Sequence, residues 1–197
     1  MKKLFTFAAV FMAAALFAAE EIQLPAPQKS GGMSLREALN NRRTVRKFQD
    51  KELTLQQISD MVWSANGINR PDGKRTAPSA LNRRNILVYV ALKDGAYLYD
   101  PQKHILEKVS DKDLRQSCGR FTAPCYIVLV GDLSKDNREI AAAVNGGYVS
   151  QNIYLAAVAN GLGTCAMGSI ANKNELIKEL KLGKNTPYLV HPVGFPL

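Results

Sequence analysis

Apolar and polar positions along the chain follow two rhythms, and the changes between them mark the elements. Ser34-Leu35-Arg36-Glu37 is a capping box, in which a hydroxyl and a carboxylate three residues apart satisfy the free N–H groups that open a helix. That helix is predicted to run to about Asn41. Thr54-Leu55-Gln56-Gln57 repeats the signal, and Leu55, Ile58, Met61 and Val62 then fall on one helical face as far as Asn66-Gly67. Residues 67–85 keep neither rhythm and carry four arginines and a lysine, a length of loop that in a compact domain is functional or disordered. Ile86–Leu92 reads as a strand. Tyr97-Leu98-Tyr99 and His104–Val109, joined at Asp100-Pro101, read as a hairpin. Asp111 is the expected cap of a short helix ending at Cys118-Gly119. The unbroken apolar run Tyr126–Val130 predicts a strand buried on both faces. Ser134–Asn160 reads as one long alanine-rich helix, apolar enough in its second half to lie in a core or an interface. Gly161–Ile170 is glycine-rich and then strand-like, Asn172–Leu180 is an amphipathic helix closed by Gly183, and Pro187–Phe195 is a last strand. Helices come first and strands then mix with helices. That order predicts an α+β fold with a mainly antiparallel or mixed sheet, not a strict βαβ alternation.

The first nineteen residues break this picture. Lys2 and Lys3 precede an apolar run from Leu4 to Phe17, alanines follow, and Glu20-Glu21 opens a polar stretch. This is the three-part pattern of a secretory signal peptide, and its apolar core is short for a membrane span. The expectation is an exported, periplasmic protein with no stable membrane span after cleavage near Ala18 or Ala19. Residues 20–33, with Pro25, Pro27, Gly31 and Gly32, read as a linker, and residues 34–197 as a single domain.

Composition narrows the chemistry. The 197 residues are 46% hydrophobic and 22% charged, which suits a soluble globular domain. Removing residues 1–19 takes two lysines and no acid, so the formal charge of +9 falls to +7. A basic balance favours anionic ligands such as phosphates. The basic residues lack interleaved aromatics, so nucleic acid is not an expected partner. Three cysteines and two histidines, without C-x-x-C or H-x-x-x-H spacing, leave no metal site to predict.

Several motifs fail on context. Gly161-Leu162-Gly163-Thr164-Cys165-Ala166 matches a dinucleotide fingerprint, but it follows a helix and leads into a strand. Gly67–Lys74 has the wrong spacing for a phosphate loop, and Arg75 stands where Ser or Thr is needed. No G-x-S-x-G elbow exists. Four elements survive. Arg42-Arg43-Thr44-Val45-Arg46-Lys47-Phe48 packs four cations and a hydroxyl together; in an extended strip Arg42, Thr44 and Arg46 share one side and suit a phosphate. Ala77-Pro78-Ser79-Ala80-Leu81-Asn82 offers small residues and an amide just before a strand. The glycines of 161–168 permit close backbone approach to a flat ligand. His191-Pro192-Val193-Gly194-Phe195-Pro196 closes the set.

In this order and spacing the four elements resemble the nitroreductase family of FMN-dependent oxidoreductases, over roughly residues 34–197. RTAPSA, followed by VYV and YLYD, is most similar to the branch that includes SagB-type dehydrogenases. The resemblance implies a sandwich with a central, mainly antiparallel sheet flanked by helices, and a homodimer with FMN at the subunit interface. It implies that Arg42 and Arg46 hold the FMN phosphate, that Thr44 lies near the ribityl or isoalloxazine end, and that Arg43 also belongs to the cofactor-binding set. Pro78, Ser79 and Asn82 would line the flavin, and Met167 and Gly168 would face its ring, with the Gly168 N–H toward N5. No side chain is then a catalytic acid or base, since the flavin carries the chemistry: a ping-pong hydride transfer through N5, with NAD(P)H as one donor, to a small nitroaromatic or quinone-like acceptor. Two alternatives stay open, a SagB-like flavin dehydrogenase or oxidase acting on a small or peptide substrate, and a non-catalytic flavin-binding protein. The sequence departs from the family in two places. It reaches Leu197 without the basic residues that several members carry after the final G-[FY]-P, so the phosphate would rest on Arg42 and Arg46, helped by Arg75, Arg83 or Arg84. Asn82-Arg83-Arg84-Asn85-Ile86 replaces the usual N-x-Q-P-W.

Overall fold

The computed structural model describes residues 20–197, so the signal-peptide reading of 1–19 lies outside the described residues. Both capping boxes form. Ser34 Oγ accepts from the Glu37 amide at 3.3 Å while the Glu37 carboxylate accepts from the Ser34 amide at 2.9 Å, opening α1, Leu35–Asn41. Thr54 and Gln57 make the same reciprocal pair at 3.2 and 3.0 Å, opening α2, Leu55–Asn66.

Seven strands make one sheet: β1 (Glu21–Gln23), β2 (Ile86–Leu92), β3 (Gly95–Asp100), β4 (Ile105–Ser110), β5 (Cys125–Gly131), β6 (Gly163–Thr164) and β7 (Thr186–Gly194). Their spatial order is β1-β4-β3-β2-β5-β7-β6, and each neighbouring pair is antiparallel. The remaining helices are α3 (Arg115–Cys118), α4 (Glu139–Ala159) and α5 (Lys173–Glu179). This is the expected α+β sandwich. Along β5 every residue is buried, and alternation sends the side chains to two cores. Ile127 and Leu129 meet Met61 and Val62 of α2 and Val149 and Ile153 of α4. Tyr126, Val128 and Val130 meet Leu114, Cys118 at the end of α3, and Leu176 of α5. Helices cover both faces, which is why β5 reads as a continuous apolar run.

The structure corrects four boundaries. Residues 21–23, expected within a linker, form β1: Ile22 pairs opposite Leu106 and packs on the first core. The stretch after it is clamped rather than loose. Ser59 Oγ donates to the Pro25 carbonyl at 2.6 Å, His104 Nε2 lies 3.1 Å from the same oxygen, and the Gln28 amide donates to Asp60 at 2.8 Å. The long helix begins at Glu139, not Ser134, because Asp132 and Asp136 accept from the amides of Ser134 and Arg138 at 3.1 Å each and hold turns there instead. The short helix begins at Arg115, whose amide donates to Asp113 at 3.1 Å, and Asp111 is not its cap. Of Gly161–Ile170 two residues form β6, and Met167 adds a single bridge to Val190. The loop 67–85 is itself ordered. Thr76 donates to the Gly67 carbonyl at 2.9 Å and Ile68 bridges Arg75, so its first half folds back as a small hairpin; Ala80–Asn82 then makes one tight helical turn.

Candidate functional site

The cationic segment lies extended along the sheet edge that ends in β6. Thr44 pairs with Thr164, the Val45 amide donates to the Thr164 carbonyl at 2.9 Å, and Phe48 pairs with Pro196. Val45 points inward onto Gly163, where a Cβ would stand 2.7 Å from Val45 Cβ; only glycine lets the strip come this close. With Val45 and Phe48 inward, Arg43, Thr44 and Arg46 are exposed and Arg42 is half-buried.

Beneath the strip is a polar network that sequence reasoning did not single out. Tyr154 of α4 receives the Ala166 amide on its hydroxyl oxygen at 2.9 Å. The same hydroxyl is 3.4 Å from Thr44 Oγ1, and the Arg42 guanidinium stacks 5.2 Å from the ring centre. Because the oxygen accepts from an amide, the phenolic proton points to Thr44 or to a ligand beside it. The edge of the Tyr154 ring meets His191, 5.6 Å between centres. His191 is fully buried between Ser150 Oγ at 2.9 Å and Thr164 Oγ1 at 3.2 Å. Burial pushes its pKa down to about 3, so it is a neutral spacer and adds no charge. The signal for this network was the run of polar residues, Asn145, Ser150 and Tyr154, inside an otherwise apolar helix.

The second predicted element, Pro78–Asn82, sits elsewhere. Buried Asn145 anchors it: Oδ1 accepts from the Ala80 amide at 3.2 Å, and Nδ2 donates to Asn85 Oδ1 at 2.7 Å and to Ser79 Oγ at 3.3 Å. Ser79 Oγ also accepts from the Arg84 amide at 2.8 Å, and Asn82 Oδ1 from Arg84 Nε at 3.1 Å. Leu81, Asn82 and Arg84 take left-handed φ values of 52°, 53° and 52°. Asn145 is nine residues before Tyr154, a span of ~13–14 Å along the axis of α4 at 1.5 Å per residue. Within one chain the structure therefore does not bring Pro78, Ser79 and Asn82 together with Arg42, Arg43, Thr44 and Arg46.

The third element divides in two. The Met167 amide and carbonyl pair with Val190 at 2.9 Å, and its side chain is buried in the second core, where a Cβ on Gly119 would stand 2.5 Å from Met167 Cε. The side chain thus points inward. Gly168 is exposed with open space around it. Behind this, the strip runs into a cavity of about 480 Å³ lined by Phe48, Gly119, Arg120, Phe121 and neighbouring residues. Arg115 in its wall is engaged by Asp113 through two bonds of 2.9 and 2.7 Å. Arg120 forms no ion pair among the described residues and lies 5.1 Å over Phe121. One more surface is notable: Ile140, Val144 and Tyr148 of α4, four residues apart, are exposed in one stripe, and Leu35 and Leu39 of the neighbouring α1 are exposed too.

Residues 39–195 match the sequence profile of the nitroreductase family. The chain belongs to the nitroreductase family. A protein of Methanocaldococcus jannaschii described as a nitroreductase is 29% identical over 194 residues, covering 88% of this chain and 96% of its own. A crystal structure described as a nitroreductase from Ralstonia eutropha is 33% identical, with a TM-score of 0.85 over 100% of this chain and 96% of that one. A further nitroreductase structure, from Desulfovibrio desulfuricans and solved in complex with FMN, shares the fold at 21% identity, with a TM-score of 0.62 over 84% and 88% of the two chains. In this nitroreductase-family chain the three cysteines are unbridged and buried, and burial pushes the Cys118 thiol up and the Cys125 thiol up to about 12. Among the described residues no group of three acidic, histidine or cysteine side chains is placed to hold a metal, and no helix is long and apolar enough to cross a membrane.

Proposed function

We propose that this chain is an exported FMN-dependent oxidoreductase that passes electrons to small nitroaromatic or quinone-like acceptors. The observation that carries the reading is the exposed Arg42–Arg46 strip laid over Tyr154, whose continuation at Phe48 lines, with Arg120, a cavity of about 480 Å³. The residues fit the group. Arg42, Arg43 and Arg46 have no carboxylate partner among the described residues, so their donors are free for a phosphate; bidentate guanidinium–phosphate contacts are the strong kind. The cavity lies in the range of ~300–1,000 Å³ common for cofactor and ligand sites. The FMN complex of the Desulfovibrio relative supports the choice of flavin.

When bound, FMN supplies the two-electron chemistry between a donor and the acceptor. The chain's own residues bind and orient. Arg42 and Arg46 hold the phosphate, with Arg43 beside them. The Thr44 and Tyr154 hydroxyls meet the polar tail. The Gly168 N–H, on an open stretch of backbone, is a donor toward the ring. Arg120, in the cavity wall, would offset negative charge on a reduced flavin bound there.

The site is completed by a second copy in this reading. Two binding elements stand ~13–14 Å apart along α4, and the same helix exposes Ile140 and Val144 just before that span and Tyr148 within it. Antiparallel packing of α4 on α4 about a two-fold axis buries that stripe and carries Pro78, Ser79 and Asn82 of one protomer to the Arg42 strip of its partner. Export and a periplasmic location rest on the pattern of residues 1–19, and cell fractionation tests them. An exported enzyme has no ready supply of NAD(P)H, so the donor is a separate question.

The test is an absorption spectrum of the purified chain with and without added FMN, followed by anaerobic addition of NADH, NADPH and candidate substrates. Bands near ~370 and ~450 nm that bleach on adding a donor support the reading. Bleaching by an organic substrate alone moves it to a dehydrogenase. Bound flavin that no donor reduces makes the chain a flavin-binding protein, and no binding overturns the proposal. Arg42→Ala with Arg46→Ala is expected to weaken FMN at least ~100-fold, two charged hydrogen bonds being lost at roughly 1.5–3 kcal/mol each.

A further inference from the structure

A second group of cations lies away from the Arg42 strip. Arg75, in the loop before β2, is half-buried. Its Nη1 donates to the Asn66 carbonyl at 3.0 Å, while its Nε is buried with no hydrogen-bond partner among the described residues. Arg84 reaches the same place across Gly73, where a Cβ would stand 3.7 Å from Arg84 Nη1. Neither arginine forms an ion pair among the described residues. Both line a cavity of about 240 Å³ between the end of α2 and strands β2 and β3, with Tyr99 in its wall and Lys135 at its edge.

The other charges lining this cavity are already engaged. Asp100 Oδ1 accepts from the amides of Gln102 and Lys103 at 2.7 and 3.3 Å. Glu107 pairs with Lys103 at 3.3 Å and Lys135 with Asp132 at 3.4 Å. Arg75 and Arg84 are the two lining cations without an ion pair among the described residues, with the Asp100 carboxylate, held by backbone amides, close by. Burial and the charge of Arg84 both depress the Arg75 pKa, and the nearby Asp100 carboxylate only partly opposes them. The loop enforces this: the Arg84 amide donates to Ser79 Oγ at 2.8 Å, and Arg84 itself is held in a left-handed conformation that a side chain rarely adopts.

We propose that this cavity binds a small oxyanion, a phosphate or carboxylate group, on Arg75 Nε and the Arg84 guanidinium. Such an anion answers the orphaned Nε and the two unpaired charges together. The volume is several times the ~30 Å³ that a water occupies, enough for the anion and a short organic body. The cavity is distinct from the Arg42 strip, none of whose residues lines it, although Arg84 also bonds Asn82 of the loop assigned to the flavin.

The test is titration of the full chain, saturated with FMN so that the Arg42 strip is filled, with inorganic phosphate and separately with succinate. The readouts are calorimetry and the arginine Nε–H resonances. The expected result is saturable binding of at least one anion, with movement of the Arg75 Nε–H signal. Arg84→Gln should weaken it at least ~10-fold, the effect of losing one charge-assisted hydrogen bond. Arg75→Gln also breaks the anchor to Asn66, and Arg84→Gln the bond to Asn82, so FMN affinity is measured for each variant and anion binding is compared only at FMN saturation. Tighter binding of phosphate supports a phosphoryl ligand, and tighter binding of succinate a carboxylate. If neither anion moves the Arg75 Nε–H signal, or if Arg84→Gln binds as well as the parent, the site is wrong.

Discussion

Asn145→Ala separates the two ends of α4 from one another. The side chain is buried and makes three bonds that fasten the Pro78–Asn82 element to the helix. Truncation leaves Asn85 Oδ1 buried with no donor, because Asn145 Nδ2 at 2.7 Å is its partner and Asn85 is fully buried. An unsatisfied buried acceptor costs about 1–3 kcal/mol, and each of the two weaker bonds, to half-buried Ser79 and exposed Ala80, adds roughly 0.5–1 kcal/mol. The sum is ~2–5 kcal/mol. The single tryptophan, Trp63 of α2, holds the Ile68 carbonyl at 3.0 Å and reports unfolding by fluorescence. With a urea slope of ~2 kcal/mol per molar, the midpoint falls by about 1–2.5 M without a change of slope. Amide exchange at Ala80 and Arg84 should quicken as the left-handed turn relaxes, while exchange at Val45, bonded to Thr164 at the other end of the helix, stays slow. A loss below ~0.5 kcal/mol, or exchange that quickens equally at both ends, would refute the view that Asn145 is the anchor.

Gly163→Ala places a methyl 2.7 Å from Val45 Cβ, so overpacking should cost about 1–3 kcal/mol, and Val45→Ala in the same chain should recover much of it; thermal melts check both. His191 gives a pH dependence with a definite sign. Its folded pKa is about 3 and its unfolded value near 6.5, so the unfolded chain binds the extra proton between those limits. Stability from this group is full above pH ~6.5 and falls by up to ~1.4 kcal/mol per unit as pH drops toward 3; urea titrations of the parent and of His191→Gln should differ by that slope.

Local signals were legible and long-range ones were not. Both capping boxes could be read because all the partners lie within four residues. β5 announced itself because burial on two faces leaves no polar position. β1 was missed because three residues are too few to show alternation, and its stability comes from Leu106 and the clamp at Pro25, far along the chain. The start of α4 was misplaced because Asp132 and Asp136 compete for the same amides as the helix. In the site, the cationic run was readable but its facing was not, since Val45 and Phe48, three apart, both turn inward while neighbouring Arg43 and Thr44 are both exposed; the inward turn of Met167 is fixed by its bridge to Val190. Tyr154 and His191 are 37 positions apart and meet only once β7 lies beneath α4. Arg120 looked like any surface cation until the Gly119–Phe121 turn proved to wall a cavity.

The placement of β1 also fixes how this domain hangs from anything upstream of it. β1 and β6 are the two margins of the sheet, six strand spacings apart, or ~29 Å at about 4.8 Å each. The Arg42 strip lies on the β6 margin, and the chain enters at the β1 margin. A tether, fusion partner or affinity tag joined ahead of Glu20 therefore leaves from the side opposite the strip. Held by that end to a surface or a resin, the domain presents its cationic margin outward, where a partner diffusing in from solution meets no obstruction from the tether.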